Sequence, residues 1–356
     1  MKIKIALTAG ILAIIMGFCF ACRGSASDKP LIGTSDEPFI VDSPDSLLKI
    51  GTGKDGWDLD KHYKQTADID MSGQSWTPIG AYEDGHSDKE KPFTGNFDGN
   101  GYIIKGLTTE DGGMFDCIGT GGIVKNVALV GGSVSGSKSY NASAVGGLAN
   151  INDGTVQNCY STGNVTGREQ SAGGLVGANY GTVQNCYTTG NIGEKYYVGG
   201  VVGYNQGIVQ NCYATGRISG IPSEAVGGVV GCNGNSDRMS GRVEGCVGLS
   251  PLITRIGYYT DHSINSFGRV VGWNWREASL YNNYARRGMR LPTDIRESVK
   301  NDVDDIHGAD ITSAQWNKAD WWENTAEFPS NAWNFRNGLP TLKGVGGNQN
   351  PTVRQK

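Results

Sequence analysis

Residues 181–192 read Gly-Thr-Val-Gln-Asn-Cys-Tyr-Thr-Thr-Gly-Asn-Ile, and nearly the same twelve residues begin at Gly154 and at Gly207. The cysteines of the three copies are 27 and 26 residues apart (159 to 186 and 186 to 212). A second unit, Gly-Gly-Leu-Val-Gly or Gly-Gly-Val-Val-Gly, alternates with them at residues 173–177, 199–203 and 227–231. Internal repeats of this length indicate a solenoid, a propeller or an array.

The length of the repeat selects among these architectures. A propeller blade needs about 40 residues, and leucine-rich repeats need regularly spaced leucines that are absent here. Short apolar runs broken by glycine indicate brief strands and tight turns. We therefore predict an all-β protein, a right-handed parallel β-helix of ~26-residue coils. Weaker copies of the pattern extend the helix upstream to Gly121 and downstream to Tyr284.

Alternation within the repeat predicts which side chains line the core. Side chains along a strand point to opposite faces in turn, so a buried Val165 places Cys159 inside as well. Tyr160, Tyr187 and Tyr213 then point outward and lie above one another as an aromatic ladder. The asparagine before each cysteine is expected at a corner, where it tolerates left-handed backbone geometry and bonds to its neighbours.

The chain resembles proteins that carry the GLUG motif, on the strength of Gly173-Gly-Leu-Val-Gly177 followed by Asn185-Cys-Tyr-Thr-Thr-Gly190. The stretches 63–70, 76–80 and 93–101 look like the lead-in of such proteins, and residues 333–342 are similar to their closing strand. The resemblance covers residues 38 to 344. It implies a bacterial cell-surface protein of adhesin-like type, and the motif also occurs beside IgA-cleaving metallopeptidase domains.

The predicted organisation has six parts. These are a lipoprotein signal peptide (1–21), a linker (22–37), an N-terminal cap with the first coils (38–120), the GLUG-repeat β-helix (121–291), a C-terminal cap (292–344) and a disordered tail (345–356). A solenoid needs its open ends covered. Ser43 and Pro44 indicate a short capping helix, and Thr312 with Gln315 forms a capping box for a second helix through about Asn324. We expect Trp321, Trp322 and Trp333 to give the C-terminal cap its apolar cover.

The first residues have the features of an export signal. Lys2 and Lys4 precede an apolar stretch that is shorter than the ~20 residues needed to span a bilayer. Cys22 follows a small residue, as does the lipid-modified cysteine of bacterial lipoproteins. Lipidation at Cys19 and ordinary cleavage after Ala26 are the alternatives. We expect an exported, lipid-anchored protein at the outer membrane or cell surface of a Gram-negative bacterium.

Composition argues against several classes of function. Charged residues make up 19% of the chain and the net charge is −4, so no basic surface is expected for nucleic acid. Neither the cysteines nor the four histidines have the spacing of a metal site, and no cofactor is predicted. The ladder cysteines should be free and buried, because parallel side chains in register have poor torsions for a disulfide.

Catalysis is the main alternative, because many parallel β-helices cleave acidic polysaccharides. Asp68 and Asp70 share a strand face and could act as acid and base, but turn formation or capping is the interpretation we favour. Asp98-Gly-Asn-Gly101 resembles only part of a calcium loop, and no H-E-x-x-H motif is present. The sequence therefore predicts a protein that is not an enzyme.

The candidate ligand contacts are aromatic. Aromatic faces stack on sugars and on apolar side chains, and loops on a rigid scaffold commonly carry specificity. The candidates are Tyr160, Tyr187, Tyr213, Tyr258, Tyr259, Trp273 and Trp275. The leading hypothesis is a surface adhesin that binds a glycan or a host or matrix protein. A carbohydrate-active enzyme and a structural component of an envelope complex are the alternatives.

Overall fold

The computed structural model describes residues 32–81, 91–136, 144–167, 171–193, 196–221, 225–235, 240–255, 266–292 and 299–353. The chain winds through five parallel sheets, and each complete coil contributes one short strand to each sheet. In the coil from Thr155 to Asn179 the strands are 155–157, 160–161, 164–166, 171–173 and 176–179, assigned to sheets A to E in that order. The predicted parallel β-helix is confirmed.

Sheets A and B are the longest, with nine strands each. Sheet A consists of Phe39–Val41, His62–Gln65, Asn96–Asp98, Ile123–Lys125, Thr155–Gln157, Thr182–Gln184, Ile208–Gln210, Arg242–Glu244 and Ser279–Tyr281. Sheet B consists of Ile69–Asp70, Ile103–Lys105, Ala128–Val130, Tyr160–Ser161, Tyr187–Thr188, Tyr213–Ala214, Val247–Gly248, Tyr284–Arg286 and Ala309–Ile311.

The other three sheets complete the coils. Sheet C consists of Thr108–Thr109, Ser133–Ser135, Asn164–Thr166, Ile192–Gly193, Ile218–Gly220 and Ile253–Arg255. Sheet D consists of Ala144–Gly146, Ser171–Gly173, Tyr197–Gly199, Ala225–Gly227 and Ser266–Gly268. Sheet E consists of Phe115–Ile118, Ala149–Asn152, Val176–Asn179, Val202–Asn205, Val230–Asn233 and Val271–Asn274. Trp333–Asn334 and Thr341–Leu342 form a separate antiparallel pair.

Columns of aliphatic side chains fill the interior. Sheet A supplies Val156, Val183 and Val209 from successive coils, all fully buried. A second apolar cluster fills the space between sheets C and D, where Val165 and Ile192 meet Val198. Burying each such side chain contributes about 1.5–3 kcal/mol, and the contribution repeats with every coil.

The glycines of the Gly-Gly-Leu-Val-Gly unit let sheet D fold back closely on sheet E. A Cβ atom at Gly173 would lie 1.9 Å from the carbonyl oxygen of Val176, and one at Gly177 would lie 2.5 Å from the backbone nitrogen of Val145. Any side chain at these positions would collide with backbone rather than with a movable group. The repeat therefore requires glycine because two backbones approach each other here.

A ladder of buried asparagines links the coils at the end of sheet E. The Nδ2 of Asn152 donates to Oδ1 of Asn179 at 2.7 Å, and Asn179 donates to Asn205 at 2.8 Å. Asn205 and Asn233 continue the series at 2.7 Å, ending at Asn274. Each amide nitrogen also donates to a backbone carbonyl, for example Asn179 to Gly181 and Asn205 to Gly207. This ladder was not among the features predicted from the sequence.

The asparagines before the cysteines have the backbone geometry that was predicted. Asn158, Asn185 and Asn211 have φ values of 54°, 53° and 52°, in the left-handed region expected at a corner. The Nδ2 of Asn158 donates to Oδ1 of Asn126 in the preceding coil at 3.4 Å.

The N-terminal cap is the short helix α1, Pro44–Lys49, which is followed by a 3-10 turn at Lys54–Gly56. Ser43 is its N-cap and Pro44 is its first residue, as predicted. Ser43 also forms a capping box with Ser46. Leu47 is fully buried in the main core and so closes this end of the helix.

The C-terminal region differs from its prediction in where it packs. Thr312 and Gln315 form the predicted capping box, but the helical stretch divides into α2, Ser313–Trp316, and α3, Ala319–Asn324. Together with residues 325–353 they form a C-terminal segment that packs along the outer face of sheet B. The last coil is covered instead by the preceding loop, where Ile306 accepts hydrogen bonds from the backbone of Val270 and Val271.

Candidate functional site

The tyrosine ladder exists and points outward from sheet B, as predicted. The rings of Tyr160 and Tyr187 are 4.8 Å apart and those of Tyr187 and Tyr213 are 4.9 Å apart, in both cases within 3° of parallel. The spacing is that of neighbouring strands, so each ring lies directly over the next. The stacking follows from the register of sheet B, in which the three tyrosines are aligned.

The prediction that these tyrosines contact a ligand is wrong for the structure described, because the C-terminal segment covers them. Tyr160, Tyr187 and Tyr213 are at most 2% exposed. Their hydroxyl groups donate to the Gly346 carbonyl at 2.9 Å, Oε1 of Gln349 at 3.3 Å and the Pro340 carbonyl at 2.8 Å, respectively. Trp322 and Trp333 pack against Tyr213, with ring centroids 5.6 and 5.7 Å away. The ladder is therefore an internal packing surface.

The same contacts correct the prediction of a disordered tail. Val345 is buried, Gly346 and Gln349 bond to tyrosines, and Gln349 also bonds to the backbone of Leu342. Residues 345–353 thus pack against the helix. A cavity of about 330 Å³ remains between residues 347–351 and the ladder, with Thr162 and Thr189 in its wall.

Covering the ladder changes its ionisation. Burial raises the pKa of Tyr160 to about 12, assisted by the negative charge of Asp68. Burial raises the pKa values of Tyr187 and Tyr213 further. The tyrosine of the preceding coil adds to the increase, Tyr160 for Tyr187 and Tyr187 for Tyr213. These hydroxyls stay protonated in the folded state and serve as hydrogen-bond donors to the C-terminal segment.

The ladder cysteines are packing groups. Cys159, Cys186, Cys212 and Cys246 are fully buried, Cys117 and Cys232 are also buried, and none of these six described cysteines forms a disulfide. Each thiol hydrogen bonds to the carbonyl two residues before it, for example Cys186 to Gln184 at 3.1 Å. Burial raises the pKa of the Cys186 and Cys246 thiols well above the usual range. The prediction of buried, unbridged cysteines is confirmed for the residues described.

The acidic pair considered for catalysis has structural partners. Oδ1 of Asp68 accepts a hydrogen bond from the backbone nitrogen of Ile103 at 2.9 Å. Asp70 accepts one from the backbone of Ser72 and forms an ion pair with Lys105 at 3.0 Å. These bonds to Ser72 and Lys105 lower the pKa of Asp70 to about 2. Both carboxylates are exposed. Each bonds to the next coil, Asp68 through Ile103 and Asp70 through Lys105.

A different group of aromatic residues remains accessible, on strands of sheets D and E and directly after sheet E, at the corner that leads to sheet A. We call it the aromatic strip, and it consists of Tyr180, Tyr197, Tyr204, Trp273 and Trp275. Tyr180 is 45% exposed, and the other four side chains are half-buried. The two tryptophans were predicted from the sequence and the three tyrosines were not. Tyr204 nevertheless occupies the same position after a Gly-Gly-x-Val-Gly unit as Trp273, and Tyr180 the same position as Trp275.

The rings of the strip form two groups. Tyr204 stacks on Tyr197 with centroids 5.6 Å apart, and Tyr180 meets Tyr204 edge-on at 6.2 Å. Trp273 and Trp275 form the second group, edge-on at 6.0 Å. Strand register places Tyr204, Cys232 and Trp273 in one column on successive coils. The two groups are thus two coils apart, roughly 10 Å.

Polar groups border the strip. Gln206 donates from Nε2 to the hydroxyl of Tyr204, and Asn235 also hydrogen bonds to this hydroxyl. Burial nevertheless raises the pKa of Tyr204, so the phenol is neutral. An arrangement of exposed rings with neutral amides beside them suits a ligand that has both apolar faces and hydroxyl groups.

Several predicted positions lie outside the described residues. They include Cys22, Cys19 and Ala26 in the N-terminal stretch, and Tyr258 and Tyr259 in the longest insertion. In the part of the chain that the structure describes, no helix combines the length and apolar character needed to cross a membrane. Across those same ranges, no three His, Cys, Asp or Glu side chains form a group able to hold a metal ion.

Two named proteins share sequence with part of the chain. Halomucin of Haloquadratum walsbyi is 33% identical over 142 residues, which are 38% of this chain and 2% of halomucin. A protein of Evansella cellulosilytica named "Putative Gly-rich membrane protein" is 31% identical over 137 residues, which are 35% of this chain and 14% of that protein. The chain therefore spans a small part of the length of these relatives.

A solved structure and a family model match as well. The crystal structure of a protein described as a "putative immunoglobulin A1 protease" from Bacteroides ovatus superposes with a TM-score of 0.66, at 21% identity, over 88% of this chain and 94% of that one. This likeness shows the fold alone. The family model of the GLUG motif matches residues 169–193 and 195–219. The chain thus carries tandem GLUG motifs on a parallel β-helix.

Proposed function

We propose that this protein is a non-catalytic, adhesin-like module that binds a glycan through the aromatic strip. The observation that carries the proposal is the strip itself, two groups of accessible rings held on a rigid sheet corner. Tyrosine and tryptophan provide large contact areas and lose little conformational entropy on binding. The amides of Gln206 and Asn235 are placed to bond to sugar hydroxyls beside the rings.

The setting of the site supports binding over cleavage. Glycoside cleavage by the usual route needs two carboxyl groups on either side of the scissile bond. Asp68 and Asp70, the acidic pair considered from the sequence, already bond to Ile103, Ser72 and Lys105. Asp70 lies on sheet B and Asp68 just before that strand, whereas Tyr204 and Trp273 lie on sheet E.

The proposed location is the cell surface. The N-terminal sequence has the features of a lipoprotein signal with Cys22 as the modified residue. One relative is named halomucin and the other a membrane protein. Both names agree with an exported protein. Labelling cells with a fatty-acid probe and comparing Cys22→Ser with Cys19→Ser tests the anchor. Label lost only in Cys22→Ser supports it, and label retained in both variants contradicts it.

Binding is tested with a glycan array, together with an assay for new reducing ends. We expect the mature protein to bind a subset of glycans without releasing reducing ends. Tyr204→Ala and Trp275→Ala should lose this binding. Tyr281→Ala is the matched control, since Tyr281 is 53% exposed on sheet A, outside the strip. Turnover lost on changing Asp68 or Asp70 would show an enzyme instead, and binding only to host or envelope proteins would contradict a glycan ligand.

A further inference from the structure

We infer that the outer face of sheet A binds the same face of a second copy of this protein, with the two β-helices antiparallel. This dimer is independent of the proposed function, because none of the five residues of the aromatic strip lies on a strand of sheet A. The nine strands present their outward side chains in an order that is complementary to the same order reversed.

Exposed apolar side chains lie at both ends of this face. Ile40 in the first strand is 48% exposed, and Tyr281 in the ninth is 53% exposed. Ile208 in the seventh strand is 37% exposed. Among the residues that the structure describes, eight large apolar side chains are exposed, and these three share one face. Apolar groups that gather on one open face indicate a surface that a partner covers.

The middle of the face is polar. The register of sheet A aligns one outward residue of every strand in a column that runs from Ile40 to Tyr281. Gln157, Gln184 and Gln210 occupy the column in strands five to seven, and Gln184 donates from Nε2 to Oε1 of Gln157 at 2.9 Å. The column lies beside the corner that leads to sheet B, where every connecting residue is described. Interfaces commonly combine such an uncharged centre with a charged rim.

Two charged residues of the column lie equally far from its centre and have opposite signs. Lys64 is in the second strand and Glu244 in the eighth, each three strands from Gln157 in the fifth. The ion pairs among the described residues do not include Lys64. The remaining charges of the column, Asp98 and Lys125, pair with each other at 3.4 Å. Lys64 is therefore the cation of this column that still needs an acidic partner.

A two-fold axis along the fifth strand makes the face complementary to itself. The rotation places the first strand of one copy over the ninth strand of the other and the second strand over the eighth, and each column stays opposite the same column. Ile40 then packs on Tyr281 of the second copy, and Lys64 lies opposite Glu244 of the second copy. Gln157 meets its own counterpart on the axis. The apolar contact and the charged contact each occur twice in the dimer.

An axis along the β-helix, which would make the two copies parallel, gives a poorer match. Each residue then faces the neighbouring column of the same strand, so Tyr281 faces a serine and Lys64 faces His62. Glu244 faces Arg242, with which it already forms an ion pair inside one chain. His62 meets a cation in both arrangements, Lys64 when parallel and Arg242 when antiparallel. The apolar ends and Lys64 therefore favour the antiparallel dimer.

The size of the face sets the strength of the dimer. Nine strands spaced ~4.8 Å apart span about 38 Å, and the two outward columns with their side chains are about 12 Å wide. The resulting ~450 Å² per copy is about half of what a standard interface buries per partner. We therefore expect a weak dimer, with a dissociation constant of about 10–100 µM.

Sedimentation equilibrium of the mature protein with Cys22→Ser, from about 5 to about 500 µM, measures the dimer. Gln157→Arg places two guanidinium groups together on the axis and should raise the dissociation constant about tenfold or more. Ser133→Arg is the matched control, because Ser133 is exposed on sheet C. Lys64→Glu should weaken the dimer about tenfold, since its contact occurs twice, and adding Glu244→Lys to the same chain should restore it. Circular dichroism checks that each variant is folded.

Cross-linking tests the orientation. Ile40→Cys and Tyr281→Cys are made in separate chains that also carry Cys22→Ser, and the six described cysteines are buried. A bis-maleimide of about 10 Å, the distance between packed sheets, should join the two variants when they are mixed. Each variant alone should give little product, because the first strand of one copy faces the ninth strand of the other.

A monomer at every concentration overturns the inference, and so does a dimer that Gln157→Arg leaves intact. A dimer that is sensitive to Gln157→Arg but gives no mixed cross-link, or is not restored by the double exchange, overturns the antiparallel arrangement and with it the inference. Tyr204→Ala should keep the dimer, so a failure of glycan binding is a separate result. On a glycan array the protein is dilute and monomeric, so Tyr281→Ala remains a control for glycan binding there.

Discussion

The tyrosine ladder and the aromatic strip are built from similar residues on the same coils, yet they have opposite environments. Tyr187 on sheet B is 1% exposed beneath the C-terminal segment, whereas Tyr180, seven residues earlier, is 45% exposed. Both side chains point away from the main core. The difference arises because another part of the chain covers one face and not the other. An aromatic side chain in a solenoid is thus available for binding only where nothing else packs on its sheet.

The largest effect is expected when the cover of the ladder is damaged. Trp333 is fully buried against Phe328, Tyr187 and Tyr213. Trp333→Ala should reduce the free energy of unfolding by about 3–5 kcal/mol, as is typical for a large buried aromatic side chain. Chemical denaturation measures this loss. A change below about 1 kcal/mol would mean that the C-terminal segment does not pack on the ladder in solution.

The second expected effect is alkaline destabilisation. The pKa of Tyr160 rises from 10 in the unfolded chain to about 12 in the folded state. The folded state keeps this proton between pH 10 and 12 while the unfolded chain releases it, so stability present below pH 10 is lost through this range. Tyr187 and Tyr213 extend the loss to higher pH. Tyrosinate absorbance and circular dichroism should change together, and Tyr160→Phe should make the decline shallower. Early ionisation without unfolding would contradict a covered ladder.

A third effect concerns the support beneath the strip. Asn205 follows Tyr204 directly and bonds to Asn179 and Asn233 inside the helix. Asn205→Ala removes the bond that the buried Oδ1 of Asn233 accepts and one of the bonds that Asn179 donates, which should lower the free energy of unfolding by about 1–3 kcal/mol. Gln206→Ala is the control, because the Gln206 side chain bonds to a half-buried hydroxyl at the surface. Equal denaturation midpoints for the two variants would count against the ladder as a stabilising element.

The fourth prediction separates binding from stability. Trp275→Ala should change the free energy of unfolding by no more than about 0.5 kcal/mol, since the side chain is only partly buried. It should weaken glycan binding about tenfold, equivalent to about 1.4 kcal/mol. Denaturation and titration calorimetry on the same preparation compare the two quantities. The opposite result, lower stability with unchanged binding, would make Trp275 a packing residue like Trp333.

The smallest effect is expected at the acidic pair. Asp70 and Lys105 are both 51% exposed, and exposed ion pairs contribute about 0–1 kcal/mol. Asp70→Asn should therefore leave both stability and glycan binding nearly unchanged. Loss of a reducing-end activity in this variant would instead support the catalytic alternative.

The repeat accounts for most of the fold because each coil obeys local rules. The period gives the coil length, and the alternation places Cys159 inside and Tyr160 outside. The left-handed asparagines, the N-cap at Ser43 and the capping box at Thr312 were also predictable from short-range patterns. The asparagine ladder had a signal too, since Asn179, Asn205 and Asn233 each follow the last glycine of a GLUG unit by two residues.

The burial of the tyrosine ladder could not be predicted from the repeat pattern. Alternation indicates the face to which a side chain points, but it does not indicate what packs on that face. The C-terminal segment is not repetitive, and its contacts with Tyr160 lie more than 180 residues away in sequence, for example 186 residues to Gly346. The three tyrosines of the strip were missed for a related reason. Tyr180 meets Tyr204 only when neighbouring coils are stacked, and Tyr197 meets Tyr204 only when sheet D folds back on sheet E.

The path of the C-terminal segment has a consequence for how the molecule unfolds. Coils that touch only their neighbours can fray one at a time from either end. Here Gly346 bonds to Tyr160 and Trp321 packs on Tyr284, so one continuous stretch fastens coils that are far apart in sequence. Opening any of these coils requires the C-terminal segment to detach. The coils should therefore unfold together in one cooperative transition. A chain that is still being synthesised lacks these contacts until residues 313–353 emerge, and only then do the coils beneath them become resistant to fraying.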